Sequence, residues 1–494
     1  MRLTDLLAGS LPACPLVGTP DVEISGIAYH SGAVRPGDLF AAIRGFIQDG
    51  HRYAAEAVRR GARAVLVDHP LPDVSATQIV VPDTRAALAA LAATFYGHPS
   101  HHLWLCGVTG TNGKTTTTHL IDAVLRACGH RSAIIGTIGV LAEGVPVEFH
   151  MTTSTTPEAP DLQRLLADLR SNAIDHVVME VTSHALELAR VASCRFRAAV
   201  FTNLTQDHLD LHGDLTRYGE AKARLFAMVS PDGVSVVNAD DPHAATMAGR
   251  SRARVITYGI ESAAEIRATD LSFAPNGTQC TIRWPGGSAR LSLRLPGPFN
   301  VANALAAFAV GLGQGADPAV IGPALESVAG VAGRCEVVDE GQPFAVLVDY
   351  AHTPDSLEKI LNLAAQISAG RRIVVFGCGG ERDRTKRPIM GRIGTHLADY
   401  AIFTSDNPRG EDPEAIIRDI EQGVAGATNF ESQPDRRIAI ERAISIARAG
   451  DIVVIAGKGH ETYQVLGDRV EAFDDRIVAR EVLRGRRQGV EAAR

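Results

Sequence analysis

A lysine and a run of threonines follow a glycine-rich stretch early in the chain. Residues 103–118 read LWLCGVTGTNGKTTTT, in which an apolar run precedes Gly110, Gly113 and Lys114. Glycines let the backbone turn tightly and aim its amide groups at a phosphate, lysine supplies a positive charge, and the Thr115 or Thr116 hydroxyl can coordinate Mg²⁺. The pattern therefore predicts a strand, a phosphate-binding loop and a helix, with a nucleoside triphosphate as the natural ligand.

The loop departs from the strict phosphate-loop pattern at one position. That pattern has a glycine five residues before Gly113, where this chain has Val108, so the sharp turn must depend on Gly110. The alternative interpretation is an ordinary glycine-rich turn with a solvated lysine. The order of apolar run, glycines, lysine and threonine favours the phosphate loop.

Acidic and imidazole side chains follow two later apolar runs. HVVMEVTSH contains Glu180, and AAVFTNLTQDH ends in Asp207 and His208. Ligands of open parallel sheets bind at the carboxyl ends of the strands, so we expect these side chains to converge on the phosphate loop. Glu180 then takes the position of a carboxylate that holds Mg²⁺, although a glutamate after an apolar run often only caps a helix.

His208 and His212 are four residues apart, which suggests zinc as an alternative metal. The segment lacks the glutamate of an HExxH motif and any cysteine partner. Magnesium is therefore the predicted metal.

The composition indicates a large enzyme that acts on small molecules. The 494 residues predict about three domains. The 49 basic and 56 acidic residues give a net charge of −7, which disfavours nucleic acid or an anionic membrane as the main partner. The seven cysteines are dispersed and never form a CxxC pair, and no apolar run is long enough to span a membrane. We expect a cytoplasmic protein without membrane insertion.

Short β-like runs alternate with alanine-rich helical patterns in the first hundred residues, which predicts a small α/β module. Ser31 and the loop at 45–51 lie near predicted strand ends, where ligands commonly dock, but such polar residues also form ordinary turns. The predicted strands cover 22–27, 38–43, 64–67 and 78–81, and the predicted helix covers 51–60.

The pattern changes between residues 232 and 341. Residues 266–295 alternate as antiparallel strands would, and 296–313 read as a turn followed by a buried alanine-rich helix. Asn300 near the start of that helix is in a position where asparagine often caps. The small-residue segment at 331–333 predicts a domain boundary.

The final block has four apolar runs that each end in glycine or charge, which predicts a doubly wound sheet with polar loops at one edge. Residues 377–380 read GCGG, but the GxGxxG spacing is absent and Arg382 stands where the last glycine belongs, so an NAD site is not expected.

Taken together, the motifs resemble those of the Mur ligases, ATP-dependent amide-forming enzymes that build the peptide of bacterial cell-wall precursors. The DNPR sequence at 406–409 resembles the signature of the branch that adds diaminopimelate, and lysine-adding relatives usually lack its arginine. The resemblance covers essentially the full length and is carried by GTNGKTT at 110–116, EVTSHAL at 180–186, TNLTQDHLDLHG at 202–213, YGEAKARLF at 218–226, GPFNVANALAA at 297–307, GR at 333–334, DYAHTPDS at 349–356 and DNPR.

The resemblance implies an α/β protein with the three-domain Mur ligase architecture. Residues 1–102 would bind the UDP-sugar, 103–332 would form the central P-loop ATPase domain, and 333–494 would form a Rossmann-like domain for the incoming amino acid. The implied activity joins meso-diaminopimelate to UDP-N-acetylmuramoyl-L-alanyl-D-glutamate through an acyl phosphate, with ATP and Mg²⁺, in a monomer. Two alternatives stay open: a sibling ligase that adds lysine or glutamate, and a nucleotide-binding protein without ligase chemistry.

The resemblance also implies roles for individual residues. Lys114 would hold the β and γ phosphates, and the implied catalytic residues are Lys114, Glu180, His208, Lys222 and Arg334. Thr115 and Glu180 would hold a first magnesium ion, and His208 with a carbamylated Lys222 a second. The implied nucleotide site comprises Gly110, Thr111, Asn112, Gly113, Lys114, Thr115 and Thr116, with Asn303 on adenine, Arg334 on a phosphate and Asp349 on the ribose.

Two substrate sites are implied in the same way. Positions for the UDP-sugar are Ser31, Thr155, Thr156, Thr182 and Arg190, and positions for diaminopimelate are Arg382, Asp406, Asn407, Pro408, Arg409, Gly457 and Glu461. The chain departs from the family pattern near the first set, with HSG at 30–32 in place of the usual DSR and Leu188 in place of a glutamine.

Overall fold

The computed structural model describes residues 1–11, 13–45, 48–149, 152–207 and 209–492. The chain divides into two compact units, one formed by 1–257 with 309–317 and the other by 258–308 with 318–494. All seven cysteines are free. Among the described residues, no helix is both long and apolar enough to cross a membrane.

The first unit begins with a five-stranded sheet that has apolar clusters on both faces. In the third strand Leu39 and Ala41 belong to one cluster and Phe40 belongs to the other, as the alternation of side chains along a strand requires. The strand order is β1-β5-β4-β3-β2, with only β1 antiparallel. The elements are α1 Leu3–Ser10, β1 Leu16–Val17, β2 Gly26–Ala28, β3 Asp38–Ala41, α2 Ala54–Arg59, β4 Ala64–Val67, β5 Thr77–Val80 and α3 Thr84–Phe95.

Two of the predicted boundaries in this module differ from the structure. The first predicted strand begins at Gly26 rather than Val22, because residue 23 pairs only through an isolated bridge to Arg2. The predicted helix at 51–60 starts with a 3₁₀ turn, Gly50–Tyr53, before α2. The turn is fixed by Asp49, whose carboxylate accepts a hydrogen bond from the amide of His51.

The same unit continues with a larger, mostly parallel sheet. Strand β6 lies between β11 and β10, and both neighbours run parallel to it, so three strand ends that carry polar residues meet at one edge. The elements are β6 Trp104–Thr109, α4 Lys114–Ala127, β7 Ser132–Gly136, β8 Gly139–Ala142, β9 Val145–Val147, α5 Ala159–Ser171, β10 His176–Glu180, α6 Ser183–Glu187, β11 Phe196–Phe201, α7 Leu209–His212, α8 Leu215–Ala227, β12 Val229–Asn238, α9 Ala244–Arg250 and β13 Arg254–Gly259.

The second unit opens with three antiparallel strands, which confirms the pattern predicted for 266–295. Two helices follow them, of which the first matches the predicted alanine-rich helix. The elements are β14 Ile266–Ala274, β15 Gly277–Trp284, β16 Gly287–Leu293, α10 Pro298–Gly313 and α11 Pro318–Ser327.

The rest of the second unit is a six-stranded sheet in the order β17-β18-β22-β19-β20-β21, parallel except for β17, as the doubly wound pattern predicts. Its elements are β17 Glu336–Val337, β18 Ala345–Asp349, α12 Pro354–Ile367, β19 Arg372–Phe376, α13 Lys386–Leu397, β20 Tyr400–Phe403, α14 Pro413–Glu421, β21 Phe430–Ser432, α15 Arg436–Ile446, β22 Ile452–Ala456, the hairpin β23 Tyr463–Leu466 and β24 Arg469–Ala472, and α16 Asp475–Ala492.

Candidate active site

The phosphate loop lies between β6 and α4 and depends on two glycines. Gly110 has φ 146° and Gly113 has φ 86°, both in the region that side chains with a Cβ rarely adopt. A Cβ on Gly110 would lie 1.8 Å from the Thr202 hydroxyl oxygen. The turn therefore needs glycine at 110, as the sequence predicts, even though Val108 replaces the usual first glycine.

Residues that follow β11 hold the loop in shape. The amide of Thr111 donates to the Asn203 carbonyl at 2.8 Å, and the amide of Asn112 donates to the Asn203 side-chain oxygen at 3.0 Å. The Thr202 hydroxyl donates to the Asn112 carbonyl at 2.6 Å. These bonds fix the loop before any ligand binds, which reduces the cost of ordering it around a phosphate.

Lys114, the first residue of α4, folds back over this loop. Its Nζ donates to the carbonyls of Gly110 at 2.9 Å and Thr111 at 2.8 Å. The ammonium therefore lies beside the backbone that the pattern assigns to phosphate binding. Thr116, one turn into the helix, is buried.

Thr115 and Glu180 come together as predicted for a magnesium site. The Thr115 hydroxyl donates to Glu180 Oε1 at 2.9 Å, and Thr137 donates to the same carboxylate through its amide at 2.9 Å and its hydroxyl at 3.0 Å. Glu180 is 1% exposed, and a Cβ on Gly136 would lie 2.4 Å from its Oε1. A hydroxyl and a carboxylate are oxygen ligands that suit Mg²⁺, so the residues present fit the ion.

Lys222 of α8 is buried beside the same loop. Its Nζ donates to the Gly110 carbonyl at 3.0 Å and lies 4.3 Å from the centre of the Tyr218 ring. Burial and then the positive charge of Lys114 hold the pKa of Lys222 well below its usual value. An uncharged amine is the form that reacts with carbon dioxide, so the surroundings of Lys222 favour the carbamylation that the resemblance implies. His208, its predicted companion, lies outside the described residues.

The predicted UDP-sugar residues of the larger sheet form one hydrogen-bonded group. The Thr156 hydroxyl donates to the Glu180 carbonyl at 2.9 Å and accepts from the Thr182 amide at 3.2 Å. Arg190 donates to the Thr156 carbonyl at 3.1 Å, and the Thr155 hydroxyl lies 3.1 Å from that of Thr137. This group therefore shares Glu180 with the magnesium site.

Two further contacts connect this group with the N-terminal module. Glu158 binds Arg190 at 2.9 Å and lies 3.7 Å from Arg85 of α3. The Tyr29 hydroxyl lies 2.5 Å from an Asp161 oxygen, and burial together with that carboxylate raises the pKa of Tyr29. Ser31, another residue predicted for the UDP-sugar, lies two positions after Tyr29 in the sequence and begins the 3₁₀ turn Ser31–Ala33.

Asp349 and Arg334, predicted for the nucleotide, lie in the second unit around the end of β18. The Cys335 amide donates to Asp349 Oδ2 at 2.7 Å, and burial raises the pKa of Asp349. The Arg334 guanidinium lies 4.6 Å from the centre of the Tyr350 ring. The adjacent His460 has its pKa lowered to about 3 by burial and then by the charge of Arg334, so its ring is neutral.

Asn303, predicted to contact adenine, is buried in α10. Its amide nitrogen lies 3.3 Å from Asn300 Oδ1, and the Asn300 amide in turn donates to the Pro296 carbonyl at 2.8 Å. Asn300 therefore lies inside the helix and donates back to the carbonyl of Pro296, rather than accepting a bond from a helix amide as the predicted capping asparagine would.

Residues predicted for diaminopimelate converge on the loop after β20. The Asp406 carboxylate accepts from the Asn407 amide at 2.7 Å, and Asn407 Nδ2 donates to Glu461 Oε2 at 2.8 Å. A Cβ on Gly457 would lie 2.7 Å from Asp406 Oδ2, so the glycine permits this close approach. Two segments that are far apart in sequence thus bring these four residues into one cluster.

The two predicted arginines approach the same glycine. A Cβ on Gly379 would lie 3.0 Å from Arg409 Nη1 and 3.6 Å from Arg382 Cγ. Arg409 has a positive φ of 54°, and its Nη1 donates to the carbonyls of Gly380 at 2.8 Å and Asn407 at 3.3 Å. Pro408 lies between Asn407 and Arg409, and its carbonyl oxygen lies close to Gly380. The bonds of Arg409 stabilise the loop as well as placing a cation there.

Three residues that the sequence analysis did not select take part in these sites. Thr137 binds Glu180, Asn203 binds the phosphate loop, and Lys458 binds Glu461. Asn203 follows the same apolar run that predicts Asp207 as a site residue, so the sequence pattern could also have indicated Asn203. The roles of Thr137 and Lys458 depend on contacts that form only when the strands pack side by side, so the sequence alone does not predict them.

Three protein-family models match successive parts of the chain. The model for the Mur ligase family, catalytic domain, matches residues 23–96, the Mur ligase middle domain matches 108–311, and the Mur ligase, glutamate ligase domain, matches 333–459.

Curated proteins from several bacteria match over nearly the whole length. A UDP-N-acetylmuramoyl-L-alanyl-D-glutamate--2,6-diaminopimelate ligase from Syntrophomonas wolfei is 47% identical over 95% of this chain and 96% of its own length. The ligase of the same name from Geobacillus thermodenitrificans is also 47% identical, over the same shares. A solved structure of a ligase with this name is 33% identical, covers 99% of both chains and has a TM-score of 0.71.

Proposed function

Because this chain belongs to the Mur ligase family, we propose that it is an ATP-dependent ligase that adds diaminopimelate to UDP-N-acetylmuramoyl-L-alanyl-D-glutamate. The observation that carries the proposal is the arrangement of Lys114, Thr115 and Glu180 at the carboxyl ends of β6 and β10. It combines a phosphate loop with oxygen ligands for a metal. The named relatives support diaminopimelate as the amino acid.

The reaction must first activate a carboxylate, because hydroxide is too poor a leaving group for an amine to displace. A carboxylate oxygen of the substrate attacks the γ-phosphorus of ATP, which forms an acyl phosphate and releases ADP. The amine of diaminopimelate then attacks the acyl carbon and loses a proton, and inorganic phosphate leaves from the tetrahedral intermediate. The amide bond forms and the acyl–phosphate bond breaks.

The chain's own residues position the reactants and balance charge. Lys114 offsets the charge of the phosphates, and the loop amides fixed by Asn203 orient them. Thr115 and Glu180 would hold one Mg²⁺, and a carbamylated Lys222 would help to hold another. Magnesium ions, when bound, neutralise charge that develops on phosphate oxygens.

The other roles also belong to this proposal. Residues 1–102 would bind the UDP-sugar, 103–332 would bind ATP and 333–494 would bind the amino acid. The order of the three family-model matches supports this division. Asn303, Arg334 and Asp349 are proposed to contact ATP, and Ser31, Thr155, Thr156, Thr182 and Arg190 the UDP-sugar. We propose a monomer that acts in the cytoplasm.

A phosphate-release assay with purified protein tests the proposal. ATP, Mg²⁺ and UDP-N-acetylmuramoyl-dipeptide would be mixed with meso-diaminopimelate, LL-diaminopimelate, lysine or glutamate in parallel. We expect release that requires both the dipeptide and diaminopimelate. Release with lysine or glutamate alone would identify a sibling ligase, and release independent of any acceptor would indicate a nucleotide-binding protein without ligase chemistry.

A further inference from the structure

Lys458 is fully buried next to the cluster that we assign to diaminopimelate. The residue follows Gly457 in the loop after β22 and is 0% exposed. Its Nζ lies 2.9 Å from Glu461 Oε2 and 3.3 Å from Asn407 Oδ1. None of the motif positions considered above includes this lysine.

Lys458, Asn407 and Glu461 form a closed ring of hydrogen bonds. The ammonium donates to both partners, and Asn407 Nδ2 donates to Glu461 Oε2 at 2.8 Å. Asn407 Oδ1 also accepts from the Val465 amide at 3.0 Å. Because two donors point at Oδ1, the orientation of the Asn407 amide is determined, and one proton of Nδ2 stays available for a further acceptor.

The ring also determines how Glu461 is presented. Among the described residues, both recorded bonds of this carboxylate end on Oε2, so Oε1 is the oxygen left to meet a ligand. The Glu461 side chain is 17% exposed, whereas that of Lys458 is not exposed at all. A buried ammonium needs a compensating charge, and the Glu461 carboxylate at 2.9 Å supplies it.

We propose that Lys458 is a positioning residue that holds the Glu461 and Asn407 side chains in place, so that both can bind the distal amino-acid group of diaminopimelate. That group carries an ammonium and a carboxylate, which suit Glu461 Oε1 and the free proton of Asn407 Nδ2 respectively. The inference rests on the proposed function, because it assigns the Asp406–Glu461 cluster to the amino-acid substrate.

The other charged groups around Glu461 do not replace Lys458. Arg436 of α15 forms two hydrogen bonds with Asp475, so its charge is already balanced. The titratable and charged groups that face this region are Lys458 and His460 in the same loop, Asp406 and Arg409 after β20, Tyr350 after β18, Arg436 in α15 and Tyr463 in β23.

The test is the Michaelis constant of Lys458→Met for each of the three substrates. We expect KM for diaminopimelate to rise by roughly 10- to 150-fold, the effect of losing a hydrogen bond to a charged group. KM for ATP and for the UDP-dipeptide should stay unchanged, because the ring orients only residues that we assign to the amino acid.

Two further variants separate positioning from a general loss of stability. Lys359→Met removes a half-exposed lysine that pairs with Asp355 in α12 and should leave every constant unchanged. The double variant Lys458→Met with Glu461→Gln removes both charges of the buried pair, so it should fold even if the single variant does not. It should show a raised KM for diaminopimelate and unchanged KM values for ATP and the UDP-dipeptide.

Several results would overturn the inference. A diaminopimelate KM of Lys458→Met within about twofold of wild type, or a defect that is equal for all three substrates, would contradict it. A double variant with the wild-type KM for diaminopimelate would show that Glu461 does not bind the amino acid. A wild-type protein that releases no phosphate with any amino acid would instead contradict the proposed function.

Discussion

At the scale of single residues, we expect phosphoryl transfer to depend most on Lys114. Lys114→Ala should leave the fold intact, because the side chain is only half-buried. The variant should lose all turnover, because the ammonium stabilises phosphate charge by several kcal/mol in a water-poor site. Acceptor-dependent phosphate release, with melting temperature as a control, measures this. Near-normal release by a folded variant would contradict the assigned role.

Lys222 is expected to act as a carbamate rather than as an ammonium, which would repel Mg²⁺. Lys222→Ala should be nearly inactive, and a short-chain carboxylic acid should restore part of the activity, since it supplies the missing carboxylate. Labelled bicarbonate should also leave a carbonyl signal that is present in the wild type and absent in the variant. A fully active alanine variant, with no such signal in the wild type, would refute the modification.

Arg409 is expected to select diaminopimelate over lysine, which lacks the distal carboxylate. A guanidinium can bind that carboxylate through two parallel hydrogen bonds. Arg409→Ala should therefore lower kcat/KM for diaminopimelate by roughly 30-fold to several thousand-fold, since truncating one partner of a buried charge pair costs about 2–5 kcal/mol.

The hydrogen bonds of Arg409 to two backbone carbonyls make a control necessary, because they also stabilise the loop. Arg409→Lys keeps the charge and loses the planar fork, so it should weaken selectivity with a smaller loss of melting temperature. An unchanged ratio of diaminopimelate to lysine in both variants would place selectivity elsewhere.

At the scale of elements, a buried ion pair joins the starts of α15 and α16. Arg436 and Asp475 are both fully buried, and Arg436 also donates to the carbonyls of Ser405 and Ala456. Asp475→Asn should cost about 3–5 kcal/mol of unfolding free energy, because it leaves the guanidinium uncompensated. Ser405 and Ala456 directly precede Asp406 and Gly457, so KM for diaminopimelate should rise as well.

The same two helices provide a matched control for this prediction. Arg437 and Glu481 form an ion pair in which each side chain is about half exposed. Glu481→Gln should change stability by less than about 1 kcal/mol, since solvent screens such pairs. Chemical unfolding of both variants measures the contrast, and equal losses would show that burial does not set the strength of the pair.

The sequence predicted most of the strands because buried parallel strands are short apolar runs with polar ends, as in 64–67 and 176–180. The sequence predicted the ends of strands less well. The pattern at residues 22–25 predicts a strand, but this segment pairs only through an isolated bridge. Thr137 and Lys458 escaped notice because their roles depend on which side chains packing brings together. Lys458 in particular looks like an ordinary surface lysine until its burial is known.

At the scale of the whole molecule, the proposed reaction activates a carboxylate with ATP and then forms an amide. The first unit contains the phosphate loop, Glu180 and Lys222, and the second contains the cluster around Asp406 and Glu461. This distribution agrees with a reaction in two chemical steps. Because we assign ATP to the first set of residues and diaminopimelate to the second, we expect variants of the two sets to fail differently.

The most direct measurement of this central claim follows oxygen from the substrate to phosphate. UDP-N-acetylmuramoyl-dipeptide labelled with ¹⁸O in its reacting carboxylate would be converted with ATP and diaminopimelate, and the inorganic phosphate analysed by mass spectrometry. An acyl phosphate requires that each amide bond formed transfers one carboxylate oxygen to phosphate, so we predict one ¹⁸O in each phosphate from fully labelled substrate. Unlabelled phosphate accompanying amide formation would contradict the account.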